Sequence, residues 1–321
     1  MFAKTHLFCG SVIARKLGQL CTIIVSLLAL GTTSSQSATS TKYTILYGGV
    51  PREYLLYLPG CYADTPLPLV VAMHGNTALL ASGDRMEAQS GFSNVAEQQC
   101  FIAAYPSALT GSWDNNADVG FIQAVIADIE KRYRVDSSRR FLAGHSGGAR
   151  LAGKISCTWP SGIAAFAQVS YSLRFEDVSD CATAAAKPAL VMHGTADTIS
   201  PYDGGRNVIS APDSAAFWAD KYASGSPHLS EFNLKLDTGD DMVGELSSWS
   251  APVKFYSLTG GGHPFPSSDA SRVSSTGGGP TVIEIGSETQ DPAANVIWTF
   301  FRSLATGPNS GTRTGGRASL R

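Results

Sequence analysis

Residues Phe141-Leu-Ala-Gly-His-Ser-Gly-Gly148 run from a short apolar strand, through a serine flanked by glycines, into a helix-like stretch that ends near Cys157. The pattern Gly144-x-Ser146-x-Gly148 is weak as letters alone, and its plainest reading is a glycine-rich turn with an idle serine. Its setting carries the weight. A strand, a sharp turn and a helix are what a nucleophile elbow requires, because that turn lifts a serine hydroxyl clear of a sheet. Glycines on either side avoid Cβ clashes in so tight a bend. The small residues Gly148, Ala149, Ala152 and Gly153 would then let the helix lie close to the strands.

The surroundings repeat the same alternation. Upstream, Leu67–Met73 is an unbroken apolar run that stops at His74-Gly75, as expected of a strand buried on both faces of a parallel sheet. Arg52 to Leu58 and Phe101 to Tyr105 also read as strands, and Ser90 to Gln99 as a helix. Asp118 to Tyr133 has helical spacing, with Ile122, Val125, Ile126 and Ile129 on one side and Asp118 as the expected N-cap. Downstream, Ala164 to Ser170, Ala189 to His193 and Val253 to Leu258 are strand-like. Ala215 to Tyr222 and Pro292 to Leu304 are helix-like, the last opened by Asp291-Pro292. Such alternation predicts one α/β domain with a mostly parallel sheet and helices on both faces, the α/β-hydrolase fold if the elbow is real. The stretch from Thr198 to Thr259 is the hardest to assign and is expected to form a rim or lid.

Composition sets the class. The chain has 321 residues, long enough for one large core, and its formal net charge of −2 comes without a basic stripe, so nucleic acid is not an expected partner. Lys4, Arg15 and Lys16 precede an apolar run from Cys21 to Leu30 and small residues up to Ala38. That reads as a signal peptide over residues 1–38, since a bilayer span takes about 20 apolar residues. A secreted catalytic domain over residues 39–305 follows, with no stable membrane insertion, and then a Gly/Ser/Thr/Arg-rich tail, 306–321, expected to be disordered. Beyond the signal lie Cys61, Cys100, Cys157 and Cys181. Four cysteines in an exported chain fit two disulfides in one of three connectivities, and joining neighbouring elements gives Cys61–Cys100 and Cys157–Cys181. Buried free thiols are the alternative. No cysteine or histidine spacing suggests a metal site.

A serine hydroxyl needs a base, and the base an orienting acid. In this fold the chain order is serine, acid, histidine. After the strand Ala189 to Met192 comes His193-Gly-Thr-Ala-Asp197, which places an acid at a strand's carboxyl end, where open α/β sheets keep their sites. After Val253 to Leu258 comes Gly260-Gly-Gly-His263-Pro264, a glycine-rich loop able to present an imidazole. Asp203 competes with Asp197 for the acid, with Asp177 and Asp180 behind. Among other histidines, His74 and His193 read as structural, His145 as fixed in the elbow and His228 as solvated. The oxyanion is expected to meet the N–H of Gly147 and that of Asn76 or Thr77. Aromatic residues expected near the substrate are Trp113, Tyr171, Trp249 and Phe265, each also a natural candidate for packing.

With these motifs placed, the sequence resembles secreted esterases grouped as polyhydroxybutyrate depolymerase-like proteins and feruloyl or acetylxylan esterases. The resemblance runs from about Tyr43 to Leu304. It rests on Arg52-Glu-Tyr-Leu-Leu-Tyr-Leu-Pro59, Pro66-Leu-Pro-Leu-Val-Val-Ala-Met-His-Gly75, Tyr105-Pro106 with Trp113, and Asp118-Val-Gly-Phe121. It continues through Gly144–Gly148, His193–Asp197 with Pro201-Tyr202, and Gly260–Pro264. It implies a triad of Ser146, Asp197 and His263 that needs no metal or organic cofactor, acting on plant cell-wall esters or on a polyester. In that family the elbow often has Met or Leu before the serine; here it has His145. A serine peptidase of the same fold, or an inactive hydrolase-fold binding protein, are the competing readings.

Overall fold

Continuous apolar runs such as Leu67–Met73 have nothing to gain at a surface, and the sheet buries them on both sides. The computed structural model of the chain describes residues 39–77, 82–235, 241–266 and 292–304. The expected signal segment, the tail and Asp291 lie outside these residues. Chain order among the described residues is β1 (Thr39–Tyr47), β2 (Val50–Leu58), β3 (Leu67–Met73), α1 (Ser82–Ser90), α2 (Phe92–Gln99), β4 (Ile102–Pro106), α3 (Ala117–Arg132), β5 (Val135–His145), α4 (Gly147–Thr158), β6 (Ala165–Val169), α5 (Phe175–Cys181), β7 (Ala189–Gly194), α6 (Ala211–Asp220), β8 (His228–Lys235), β9 (Asp241–Ser248), β10 (Val253–Leu258) and α7 (Pro292–Leu304).

One sheet holds all the strands, in the order β1-β2-β4-β3-β5-β6-β7-β10-β9-β8. Its centre, from β4 to β10, is parallel; β1-β2 on one flank and β9-β8 on the other are antiparallel. Side chains alternate between two cores. Leu67, Leu69, Val71 and Met73 of β3 face the layer of α3, α4 and α6, whereas Val70 and Ala72 face α1, α2 and α7. Large rings fill both layers: Phe121 and Trp218 in the first, and Phe92, Phe101, Trp298 and Phe301 in the second. A mostly parallel sheet with helices on both faces and the strand–elbow–helix unit at its middle is the α/β-hydrolase fold.

Several elements differ from the sequence expectation, each for a physical reason. The helix expected from Ser90 to Gln99 starts only at Phe92, because Gly91, with a φ of 75°, separates it from a preceding helix, α1, that the sequence pattern did not announce. Asp118 is not an N-cap. It lies inside the first turn of α3 and is buried against Arg52, with Nη1 to Oδ1 at 2.9 Å, while the Arg52 guanidinium stacks 3.8 Å over the Phe121 ring. Much of the stretch expected to form a rim or lid is instead the β8–β9 hairpin, which extends the sheet by pairing β9 with β10.

Two disulfides close loops on the periphery. Cys61–Cys100 ties the turn after β2 to the end of α2, and Cys157–Cys181 ties α4 to α5. Both follow the pairing expected from neighbouring elements. No described helix is long and apolar enough to cross a membrane.

Candidate active site

The site is built at the carboxyl ends of β3, β5, β7 and β10. Strand β5 ends at His145, α4 starts at Gly147, and Ser146 between them has φ 51° and ψ −115°. A non-glycine residue there is strained, and the surroundings hold it. The Ser146 N–H donates to the Val169 carbonyl of β6 at 2.8 Å. The tightness explains the glycine at 148: a Cβ there would fall 2.3 Å from the Met73 carbonyl oxygen.

The loops after β7 and β10 meet over the serine. His263 Nε2 lies 3.0 Å from Ser146 Oγ, and His263 Nδ1 lies 2.8 Å from Asp197 Oδ2. A proton on Nδ1 is donated to the carboxylate, leaving Nε2 to accept from the serine hydroxyl. Asp197 is buried. Its Oδ1 accepts the N–H groups of Ile199 and Ser200, both at 2.9 Å, and His193 Nε2 approaches its Oδ2 at 3.2 Å. Burial works to raise this carboxyl's pKa, but the hydrogen bonds from His193 and His263, the His263 charge and the Ser200 N–H outweigh it and hold it well below the ordinary carboxylate range. The carboxylate thus stays ionised beneath the imidazole.

Two further histidines complete the floor, both neutral. Burial, aided by the charge of Arg85, lowers the His74 pKa to about 4 against the pull of its bond to Gly75. Its Nε2 accepts the Ala108 N–H at 3.1 Å, so Nδ1 carries the proton and donates to the Gly75 carbonyl at 2.6 Å. Burial and the neighbouring His263 charge likewise lower His145 to about 4. Its Nε2–H donates to the His263 backbone carbonyl at 2.8 Å, so the residue before the serine grips the backbone of the histidine that faces it.

For an oxyanion, the N–H of Gly147 opens α4 beside Ser146. Asn76 is its neighbour: a Cβ on Gly147 would fall 2.1 Å from Asn76 Oδ1. Thr77 does not fit the expected role, because its N–H is donated to the Gly111 carbonyl at 2.9 Å.

The cleft at Ser146, about 160 Å³, is lined by His74, Gly75, Asn76, Thr77, Arg85, Gln89, His145, Ser146 and His263. None of the four aromatic residues expected at the substrate is among them. Trp113 is buried behind the wall, its Nε1–H donated to the His74 carbonyl at 2.7 Å. Tyr171 is buried with its hydroxyl on Asp177. Trp249 precedes β10 and packs at the end of the sheet opposite the His263 loop. Phe265 is buried edge-on to His145, against Phe92. Large rings gain more by entering the core than by facing a cleft; Trp113, Tyr171 and Phe265 have done so, and Trp249 packs half-buried against it. Sequence reasoning missed Arg85 and Gln89. They sit one turn apart on α1, a helix whose apolar pattern is reduced to Met86, so no periodicity announced it.

No family model matches the chain. Among curated proteins it is similar to a probable feruloyl esterase C of Aspergillus niger, 32% identical over 161 residues that cover 48% of this chain and 58% of that protein. It is also similar to a probable feruloyl esterase C of Aspergillus flavus, 27% identical over 256 residues covering 74% and 89%. The first match thus spans little more than half of the relative's length. Among solved structures, an acetyl xylan esterase from Aspergillus awamori superposes with TM-score 0.54 at 20% identity, covering 70% of this chain and 95% of that one. A feruloyl esterase module from Clostridium thermocellum complexed with sinapinate gives TM-score 0.50 at 13% identity, covering 71% and 83%. At such identities the structures speak for the fold, and they agree on the α/β-hydrolase fold. The curated relatives agree with the esterase resemblance carried by the motifs.

Proposed function

We propose that this protein is a secreted serine carboxylic ester hydrolase that works through an acyl-enzyme on plant cell-wall esters. The observation that carries the reading is the unbroken hydrogen-bonded chain from Asp197 through His263 to Ser146. His263 takes the serine proton as Oγ attacks the ester carbonyl. Asp197 fixes the imidazole tautomer and stabilises the imidazolium. The N–H groups of Gly147 and Asn76 receive the negative charge on the tetrahedral oxygen. His263 then protonates the departing alcohol. Water, deprotonated by the same imidazole, attacks the acyl-enzyme and releases the acid.

The cell-wall substrate class rests on the names of the relatives and on a small cleft with polar walls, which suits acetyl esters of sugars better than a long acyl chain. Secretion rests on the leader-like residues 1–38 and the two disulfides.

The test is a panel of acetylated xylan, methyl ferulate, poly(3-hydroxybutyrate), 4-nitrophenyl acetate and an aminoacyl nitroanilide, each with wild type and Ser146→Ala. Ester hydrolysis that disappears in the variant is the expected result. Cleavage of the nitroanilide alone would move the reading to a peptidase. Ester hydrolysis that survives Ser146→Ala would end it.

A further inference from the structure

We propose that the cleft is built for an ester that carries a negative charge, and that Arg85 is the residue that reads it. The inference rests on the serine esterase reading above and deepens it by naming a feature of the substrate. Of the residues lining the cleft, Arg85 is the one with a permanent charge in contact with solvent, and it makes no ion pair among the described residues. Its acidic neighbours on α1 are engaged elsewhere. Asp84 holds Lys42 at 2.9 Å, and Glu87 accepts from Ser93 Oγ at 2.8 Å and from Ser40. The guanidinium is therefore left facing the cleft uncancelled.

The helix that presents Arg85 is firmly set. The Gly83 N–H donates to Ser107 Oγ at 3.0 Å, and Met86 is fully buried. Gln89, one turn on, lines the same cleft and adds a neutral amide beside the charge. His74 and His145 are neutral at working pH. Asp197 is buried behind the imidazole, its oxygens taken by the Ile199 and Ser200 N–H groups and by His263 Nδ1. A guanidinium fork suits a carboxylate, which it binds through two parallel N–H···O bonds, better than a sugar hydroxyl. The structure thus points to carboxylate-bearing esters, such as an acylated saccharide with a uronic acid or a hemi-ester of a diacid.

Two matched pairs test this and locate the charge. On the alcohol side, 4-acetoxybenzoate is compared with its methyl ester; on the acyl side, mono-4-nitrophenyl succinate with 4-nitrophenyl butyrate. The quantity read is the ratio of kcat/KM for the charged over the neutral member. In wild type the ratio should exceed one for at least one pair, after correction for intrinsic hydroxide rates, and shrink with added salt. Arg85→Gln should lower that ratio about tenfold, and Arg85→Lys should restore part of it.

An independent arm avoids turnover. In the Ser146→Ala background, binding of 4-hydroxybenzoate and of monomethyl succinate is measured by calorimetry with and without Arg85→Gln. Weaker binding of either anion in the double variant supports the proposal. An unchanged ratio in both pairs, together with unchanged anion binding, overturns it. A failure of the serine reading looks different: neutral esters would still be cleaved by Ser146→Ala, whatever Arg85 does.

Discussion

The loops that carry Asp197 and His263 leave neighbouring parallel strands, β7 and β10, at the same end of the sheet, yet they are secured in different ways. The acid loop is held from within. Asp197 takes two backbone N–H groups of its own loop and the side chain of His193, in addition to His263. The base loop is sewn to the acid loop at its root, where the Ala196 N–H donates to the Gly261 carbonyl at 2.8 Å and the Thr195 N–H to that of Leu258 at 2.9 Å. Beyond that root His263 is held by three side chains from two segments: Asp197 of the neighbouring loop and Ser146 of the elbow on the ring, and His145 of the same elbow on the carbonyl. Orientation of the acid is redundant, and orientation of the base is not. Substitutions that reach His263 should therefore be costly, and those that touch only the loop roots should be mild.

The largest expected effect comes from the bond the two loops share. Asp197→Asn keeps the shape but offers the imidazole an amide, so the wrong tautomer is favoured. Turnover should fall by about 10³- to 10⁴-fold with little change in KM, measured on 4-nitrophenyl acetate. A loss below tenfold would mean that His263 does not depend on this acid.

Next is the grip of His145 on the His263 carbonyl. His145→Met removes the donor while filling similar space. It should lower kcat by about 10- to 100-fold, as expected of a base displaced by a fraction of an ångström to an ångström, and leave KM nearly unchanged. His145→Gln, whose amide retains an N–H donor, should recover part of the loss. Equal kcat for the Met and Gln variants would show that only packing matters at this position.

The same residue makes a prediction about pH. The ordinary histidine value is 6.5, and folding lowers both His74 and His145 to about 4. Between these values the unfolded chain binds protons that the native fold refuses. The stabilisation from keeping them neutral is fully present above pH 6.5 and is lost as pH falls towards 4. Each contributes a slope of up to about 1.4 kcal/mol per pH unit in that window. Urea unfolding of His145→Met should therefore show a shallower loss of stability on acidification than wild type. Identical slopes would deny the buried, neutral state of His145.

How much of this was legible in the sequence follows the same division. The loops of Asp197 and His263 announce themselves because each puts a chemically distinctive residue at the end of an apolar run, and β3, β7 and the Phe141–Ala143 end of β5 are too apolar to be anything but buried strands. Elements with one wet face were harder. The β1 stretch buries Tyr43, Ile45 and Tyr47 only partly, and it reads as polar between them. The hairpin strand His228–Lys235 has no sustained apolar face and sits at the sheet edge, where pairing with β9, not patterning, defines it. The cleft wall was invisible for a further reason. Side chains that line a cleft are chosen for a ligand, so Arg85 and Gln89 look like ordinary surface residues. The aromatic residues that looked like a binding site were claimed by the core.

The mildest prediction concerns the seam between the loops. The Thr195 hydroxyl oxygen accepts the Gly260 N–H at 2.8 Å, and both residues are exposed. Thr195→Val keeps the branched shape and removes the acceptor. Water can take over the freed N–H, so the expected loss of stability is about 0.5–1 kcal/mol, readable as a small shift in the urea midpoint. Turnover should stay within about twofold of wild type, since the backbone bonds from Thr195 to Leu258 and from Ala196 to Gly261 still fix the root. A fall in kcat as large as that of His145→Met would break the comparison. The base would then be steered from the root of its loop, and the grip on its carbonyl would be only one tie among equals.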